Sequence, residues 1–241
     1  MGQLSLEHYY HFFDVALYSD VLIRTIKIGL SVTFICFLVG YPIAFFLSEL
    51  KNPLVGGLSM ACILLPFWTS ILVRSYSWVV LFQTQGMINK VLLSTRIIEE
   101  PLSLLHNEFA VTVGMVHILL PFMILPIYTV LKNLDRNLVR AGKNLGANMF
   151  WVFLLIVFPL SLPGVGAGIM FVFILSLGFY ITPAILGGPT TLMISTLIDQ
   201  QINRLLNWEF ASAIAVMLLL TTIVMLVVFN KIVGLEKIYR E

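Results

Sequence analysis

The sequence predicts an all-α bundle of about five membrane-crossing helices, and three observations lead there. Hydrophobic residues make up 59% of the 241 and charged residues 11%, against roughly 45–50% and about 25% in soluble proteins. The apolar residues fall in long runs, and a hydrocarbon core about 30 Å thick needs roughly 20 of them per helix. No stretch alternates apolar and polar residues in the segments of about ten that a transmembrane barrel requires. The lipid bilayer is thus the first partner. Five spans leave only short connections, so residues 1–241 read as a single transmembrane domain.

The first two dozen residues carry Glu7, Asp14 and Asp20 among aromatics. A basic stretch followed by an apolar run and a small-residue cleavage site is missing, so no cleaved signal peptide is expected. Spans follow near Thr25–Leu47, Leu58–Phe82, Ala110–Leu131, Trp151–Leu177 and Phe210–Asn230. Pro42, Pro66, Pro121, Pro126, Pro159 and Pro163 fall within or at the edges of these runs. Each removes a helical hydrogen bond, which membrane helices tolerate in general and which also suits a wet pathway. Gly164, Gly166 and Gly168 form a small-residue face for close helix packing. Between the last two spans, Gly178–Trp208 is too polar to cross. Ile194, Leu197, Ile198, Ile202, Leu205 and Leu206 nevertheless recur at helical spacing, predicting a short interfacial or re-entrant helix after the Gly187-Gly188-Pro189 turn.

Charge sorts the ends. Lys51, Lys132, Arg136, Arg140, Lys143, Lys231, Lys237 and Arg240 share one side, against Arg24, Lys27, Lys90, Arg96 and Arg204 on the other. The positive-inside rule turns the first group to the cytoplasm, with the amino terminus outside and the carboxyl terminus cytoplasmic. A net charge of +2 without a basic stripe excludes nucleic acid as a partner. Cys36 and Cys62 lie in apolar runs, and no Cys/His cluster has metal-site spacing, so neither a disulfide nor a metal site is expected.

Ionisable groups inside spans point to function by default, which singles out Arg74 and His117. Arg74 also reads as an arginine whose stem is buried while its head reaches the headgroups, and His117 as a hydrogen-bonded packing residue. Trp68, Tyr76 and Tyr180, with Trp78 and Phe179, are aromatics either of a pathway or of the membrane interface.

The polar loop over residues 132–150 carries the most information. It is too short to fold alone, and Leu138, Ala141, Leu145 and Met149 give it an apolar stripe at helical spacing. Gly142, Gly146 and Ala147 would let another protein approach the backbone. Arg140-Ala141-Gly142, three residues, Gly146, nine residues, Ile156, one residue and Phe158-Pro159 resemble the cytoplasmic loop of ABC-importer permeases. Arg140 replaces the usual glutamate of that loop, and Gly142 the usual alanine. The segments Pro66–Trp78, Met115–Tyr128 and Gly178–Pro189, with Gly86 and Asn89, resemble the spermidine/putrescine-type branch. Members of that branch usually carry one more helix before the first span found here.

The resemblance implies the type I ABC importer permease fold in a bacterial inner membrane. It makes Arg140–Met149 a coupling helix, with Arg140, Ala141, Gly142, Leu145, Gly146, Ala147, Ile156 and Pro159 as the residues that meet an ATPase. The implied partners are a cytoplasmic ABC ATPase dimer that uses ATP and Mg, a second permease subunit and an extracytoplasmic solute-binding protein. The implied solute is a polyamine such as spermidine or putrescine. Another small solute, an amino-acid derivative, a phosphonate or an iron chelate, fits the same machine. No phosphate loop occurs, Gly142-Lys143 being followed by Asn144, so this chain itself is expected to bind no cofactor. Neither a nucleophile motif nor paired intramembrane carboxylates suggest an enzyme. A self-sufficient secondary transporter would be expected to show repeats or membrane-embedded ion-coupling residues, and neither is present.

Overall fold

A computed structural model describes residues 7–189 and 191–233. Among these every regular element is a helix, without strands. Helix α1 (Glu7–Asp14) leads into α2 (Ala16–Glu49), followed by α3 (Pro53–Leu64) and a 3-10 turn at Leu65–Trp68. Next come α4 (Ile71–Phe82), α5 (Met87–Ser94), α6 (Glu108–Lys132), α7 (Arg136–Asn144) and α8 (Met149–Val152). A π turn at Phe153–Val157 joins α8 to α9 (Phe158–Leu177), and α10 (Ile181–Leu186), α11 (Ile194–Asn203) and α12 (Trp208–Val233) complete the described chain.

Four helices are long and apolar enough to cross a membrane: α2, α6, α8 with α9 as one rod, and α12. They coincide with four of the five spans the sequence predicts. The remaining one, Leu58–Phe82, is not a single helix. Pro66 sits in the 3-10 turn, and Pro53–Trp68 and Ile71–Ser94 satisfy the length and hydropathy requirement only as a broken pair. Proline lacks an N–H and crowds the preceding turn, which is where this helix yields, whereas Pro42, Pro121, Pro126 and Pro163 stay inside continuous helices. Pro159 comes two residues after the end of the π turn. The wider turn makes room for a ring that would otherwise press on the carbonyl four residues earlier.

The first predicted span also begins earlier, at Ala16 instead of Thr25. Asp20 and Arg24 precede Thr25 and Lys27 follows it closely. Arg24 and Lys27 reach Glu108 at the start of α6, at 3.6 and 3.0 Å, so these charges are paired rather than left in lipid. Lys237 and Arg240, counted in the charge bias, lie outside the described residues.

The chain divides into two compact units. One comprises Met1–Val32, Thr69–Ile118 and Phe173–Leu226. Its core joins Phe12, Val21, Ile194, Leu197, Phe210 and Ile214, with Tyr18 and Leu22 packed against them. The amino-terminal segment is therefore part of this core. The Thr25 hydroxyl donates to the Val21 carbonyl at 2.8 Å and accepts from the Ile194 N–H at 2.9 Å, fixing the first turn of α11 on α2. Both α10 and α11 occupy the stretch for which one short helix was expected.

The other unit comprises Thr33–Trp68, Leu119–Val172 and the chain from Val227. Here Tyr41 hydrogen-bonds Ser161 at 2.9 Å, and Ser161 donates to the Phe158 carbonyl at 2.7 Å. Phe45, Phe153 and Phe158 ring the same spot. A Cβ at Gly164 would come 2.8 Å from the Pro126 carbonyl and one at Gly168 2.8 Å from the Met123 sulfur. Those glycines pack α9 closely on α6.

Candidate functional site

The loop over residues 132–150 lies wholly in the second unit and is built from its ends inward. Asp135 caps α7 by accepting the Asn137 N–H at 2.9 Å, which satisfies one donor of the first turn. Arg136 then pairs with Glu49 at the end of α2 and donates to the Ser48 carbonyl at 2.9 Å. The helix stops at Asn144 because Gly146 takes φ +85°. There the Ala147 N–H reaches the Gly142 carbonyl at 3.2 Å and the Gly146 N–H the Lys143 carbonyl at 3.0 Å. This pair of bonds is the Schellman closure that a left-handed residue permits. Asn148 restarts the chain as the cap of α8, accepting from the Trp151 N–H at 3.0 Å.

This geometry corrects the docking helix expected over Arg140–Met149. The helix begins four residues earlier, at Arg136 just after the Asp135 cap, and Met149 already belongs to α8. Gly142 also has a different role from Gly146. It is buried, and a Cβ there would come 2.8 Å from Ile156 Cδ1 and 3.4 Å from Val152 Cγ2. Its missing side chain therefore seats α7 on the π turn of its own chain. Gly146 has nothing within 4 Å of such a Cβ and is open to a visitor. Arg140 and Ala141 are exposed, and Ala147 is half-buried. Leu145 is 89% exposed, with Leu138, Met149, Phe150 and Trp151 exposed around it. Among the described residues Arg140 has no ion-pair partner. Ile156 lies in the π turn and Pro159 in the first turn of α9.

The pathway candidates separate. Trp68, in the second unit, is 90% exposed. In the first unit α4 carries Arg74 and, one turn on, Trp78, whose indole N–H donates to His117 Nδ1 at 3.2 Å. His117 is therefore a hydrogen-bonded residue with its ring edge-on to Trp78. The Nε of Arg74 is buried without a hydrogen-bond partner among the described residues. Behind it, Ser75 and Thr182 share a buried hydrogen bond of 3.0 Å that joins α4 to α10. Tyr76 is exposed on the same helix.

Tyr180 stands at the start of α10 and lines a cavity of about 300 Å³ together with Gly188, Thr196, Asp199, Gln200 and Arg204. The nearby Asp199 carboxylate raises the pKa of the Tyr180 hydroxyl above the ordinary phenol value. Asn203 donates to Asp199 Oδ1 at 2.6 Å. The sequence gives no direct sign of this grouping, because Tyr180 and Asp199 are separated by the turn with Gly188 at φ +64°. Three or more His, Cys, Asp or Glu side chains able to hold a metal do not converge anywhere among the described residues.

Residues 40–234 match the family model for the binding-protein-dependent transport system inner membrane component. The spermidine/putrescine transport system permease protein PotB of Haemophilus influenzae is 35% identical over 226 residues, covering 94% of this chain and 78% of that protein. PotB of Escherichia coli is 34% identical over 239 residues, 96% of this chain and 86% of its own length. The fold resembles a bacterial ABC transporter involved in the import of the acidic polysaccharide alginate, with a TM-score of 0.71 at 17% identity over 97% of this chain and 85% of that one. It also resembles an amino acid ABC transporter, with a TM-score of 0.60 at 16% identity over 97% and 98% of the two chains.

Proposed function

The chain belongs to the binding-protein-dependent transport system inner membrane component family, and from that premise we propose that it carries a polyamine such as spermidine or putrescine. As a member it is a multi-pass inner-membrane permease of an ABC importer and not an enzyme, ATP hydrolysis residing in a separate subunit. One observation carries the solute: the 35% identity to a spermidine/putrescine permease extends over 94% of the chain.

The working unit in this reading contains a second permease, two copies of an ATPase that binds ATP and Mg, and an external solute-binding protein. The end of the chain bearing Lys51, Lys132, Arg136, Arg140 and Lys143 faces the cytoplasm, in keeping with the positive-inside rule. The exposed surface formed by Arg140, Ala141, Leu145, Gly146 and Met149 docks on the ATPase. Gly142, Ile156 and Pro159 hold that surface to α9 from behind. An ATP-bound ATPase dimer then favours one arrangement of the spans and a nucleotide-free one another, so solute moves by a shift between two states. The self-sufficient transporter has no further place, because the family draws its energy from a partner.

Two measurements test this. The tagged chain, expressed with its neighbouring genes and extracted in mild detergent, is expected to retain a P-loop ATPase. A host lacking its own polyamine systems is expected to gain spermidine or putrescine uptake from the same genes. Uptake blocked by a non-polyamine and indifferent to spermidine would remove the polyamine, and a chain that purifies alone would remove the docking surface.

A further inference from the structure

The cavity beside α11 combines a carboxylate, an aromatic ring and a fixed frame, all within the first unit. Asp199 is half-buried and forms no ion pair among the described residues, Arg204 on the same lining being exposed and outside pairing distance. Without a cation the carboxylate is held by a neutral donor, the Asn203 amide at 2.6 Å, and Tyr180 lines the same cavity. A carboxylate offers about four lone-pair directions, so this bond leaves acceptor capacity toward the cavity. Tyr180 adds a ring face, which attracts ammonium groups. The volume of about 300 Å³ is at the small end of ligand pockets, which run from roughly 300 to 1,000 Å³.

The frame is rigid where it matters. Ser195 donates to the Phe179 carbonyl at 2.6 Å, tying the first turn of α11 to the residue before Tyr180. Thr196 both donates to the Met193 carbonyl at 2.6 Å and accepts the Met193 N–H at 2.9 Å. Leu197 anchors the other face of α11 in the core. Asp199 is therefore set by a packed helix, and Tyr180 stands at the cap of α10, next to the Ser195–Phe179 tie, as a recognition site requires.

We propose that Asp199 and Tyr180 form a subsite that receives a primary ammonium group of the transported solute. The assignment rests on the polyamine reading and names where on this chain that cation is first met. It also answers a difficulty of the spans themselves, which hold almost no carboxylate for a polycation. A neutral or anionic solute gains nothing from this pair.

The test uses the complete importer in liposomes, with saturating solute-binding protein outside and labelled spermidine as the probe, measuring uptake and ATP hydrolysis together. Asp199→Asn is expected to lower spermidine uptake per ATP about ten-fold, the loss of one charge-assisted bond, with binding-protein-stimulated hydrolysis unchanged. Asp199→Glu restores most of the uptake, and Tyr180→Phe falls between. Wild-type uptake retained in Asp199→Asn overturns the subsite and leaves the polyamine reading standing. Hydrolysis and uptake lost together, in Asp199→Glu as in Asp199→Asn, also overturns it, since the residue then serves docking or the fold. A wild-type importer that takes up no spermidine overturns the polyamine reading, and the subsite with it.

Discussion

Arg136, the first residue of α7, is ion-paired with Glu49, the last residue of α2, and its guanidinium also donates to the Ser48 carbonyl at 2.9 Å. The final carbonyls of a helix lack partners within it, and a cation there is favourable. One side chain therefore closes α2 and positions the start of α7. Both partners are nearly half exposed, at 42% and 45%, so the pair adds only about 0–1 kcal/mol to stability. Arg136→Gln is expected to leave the melting temperature in detergent almost unchanged while lowering transport roughly three-fold or more, the scale of a coupling mutation. Equal uptake by the variant at matched membrane levels would show that the pair transmits nothing.

Gly146 offers a cleaner dissection, since its φ of +85° and its open surroundings are separate properties. Asparagine visits the left-handed region readily, whereas other side chains there cost about 1–2 kcal/mol. Gly146→Asn should keep most ATPase co-purification and Gly146→Arg should lose it, both inserting normally. Equal retention by the two variants would count against a partner at this turn.

Asn89 is fully buried and ties the chain before α6 to α5. Its amide donates to the Leu102 carbonyl at 2.9 Å and to the Gln83 carbonyl at 3.3 Å, and its carbonyl accepts the Leu102 N–H at 2.9 Å. Asn89→Ala strands the Leu102 groups at a cost of about 1–3 kcal/mol. Thermal unfolding of the purified chain in detergent reads that loss, and an unaltered midpoint would mean that water replaces the side chain fully.

Arg204 distinguishes solute classes by sign. It lines the same cavity as Asp199 and repels a second cation there, so Arg204→Gln should raise spermidine capture by about two-fold or more. A zwitterionic solute would instead lose the partner of its carboxylate, and its uptake would fall. Competition between spermidine and an amino-acid derivative on the variant importer gives the answer directly.

Hydropathy made three spans legible almost to their ends and the fourth, α2, over all but its first turns, because bilayer thickness sets the minimum helix length whatever the packing. It misread two places for identifiable reasons. Pro66 looked like the prolines that helices absorb, and only packing decides which of them breaks a helix. The nine residues before Thr25, Arg24 among them, fell outside the first span because the partner of Arg24 and Lys27, Glu108, lies 81 residues from Lys27. At the loop, spacing revealed the turn glycine and the apolar residues, whereas the true start of α7 was carried by the Asp135 cap. The pairing of Tyr180 with Asp199 left no local pattern, since it arises from how α10 and α11 fold back on one another.

The π turn at Phe153–Val157 makes the count of residues from Gly146 to Ile156 a question of phase. Each residue advances an α-helix by about 100°, so deleting one before the wide turn would rotate Ile156 away from Gly142. Substitutions in 147–155 alter one side chain at a time. An insertion or deletion there turns everything upstream against everything downstream, as slipping one tooth of a gear does. The length polymorphism that surface loops ordinarily absorb is closed to this one.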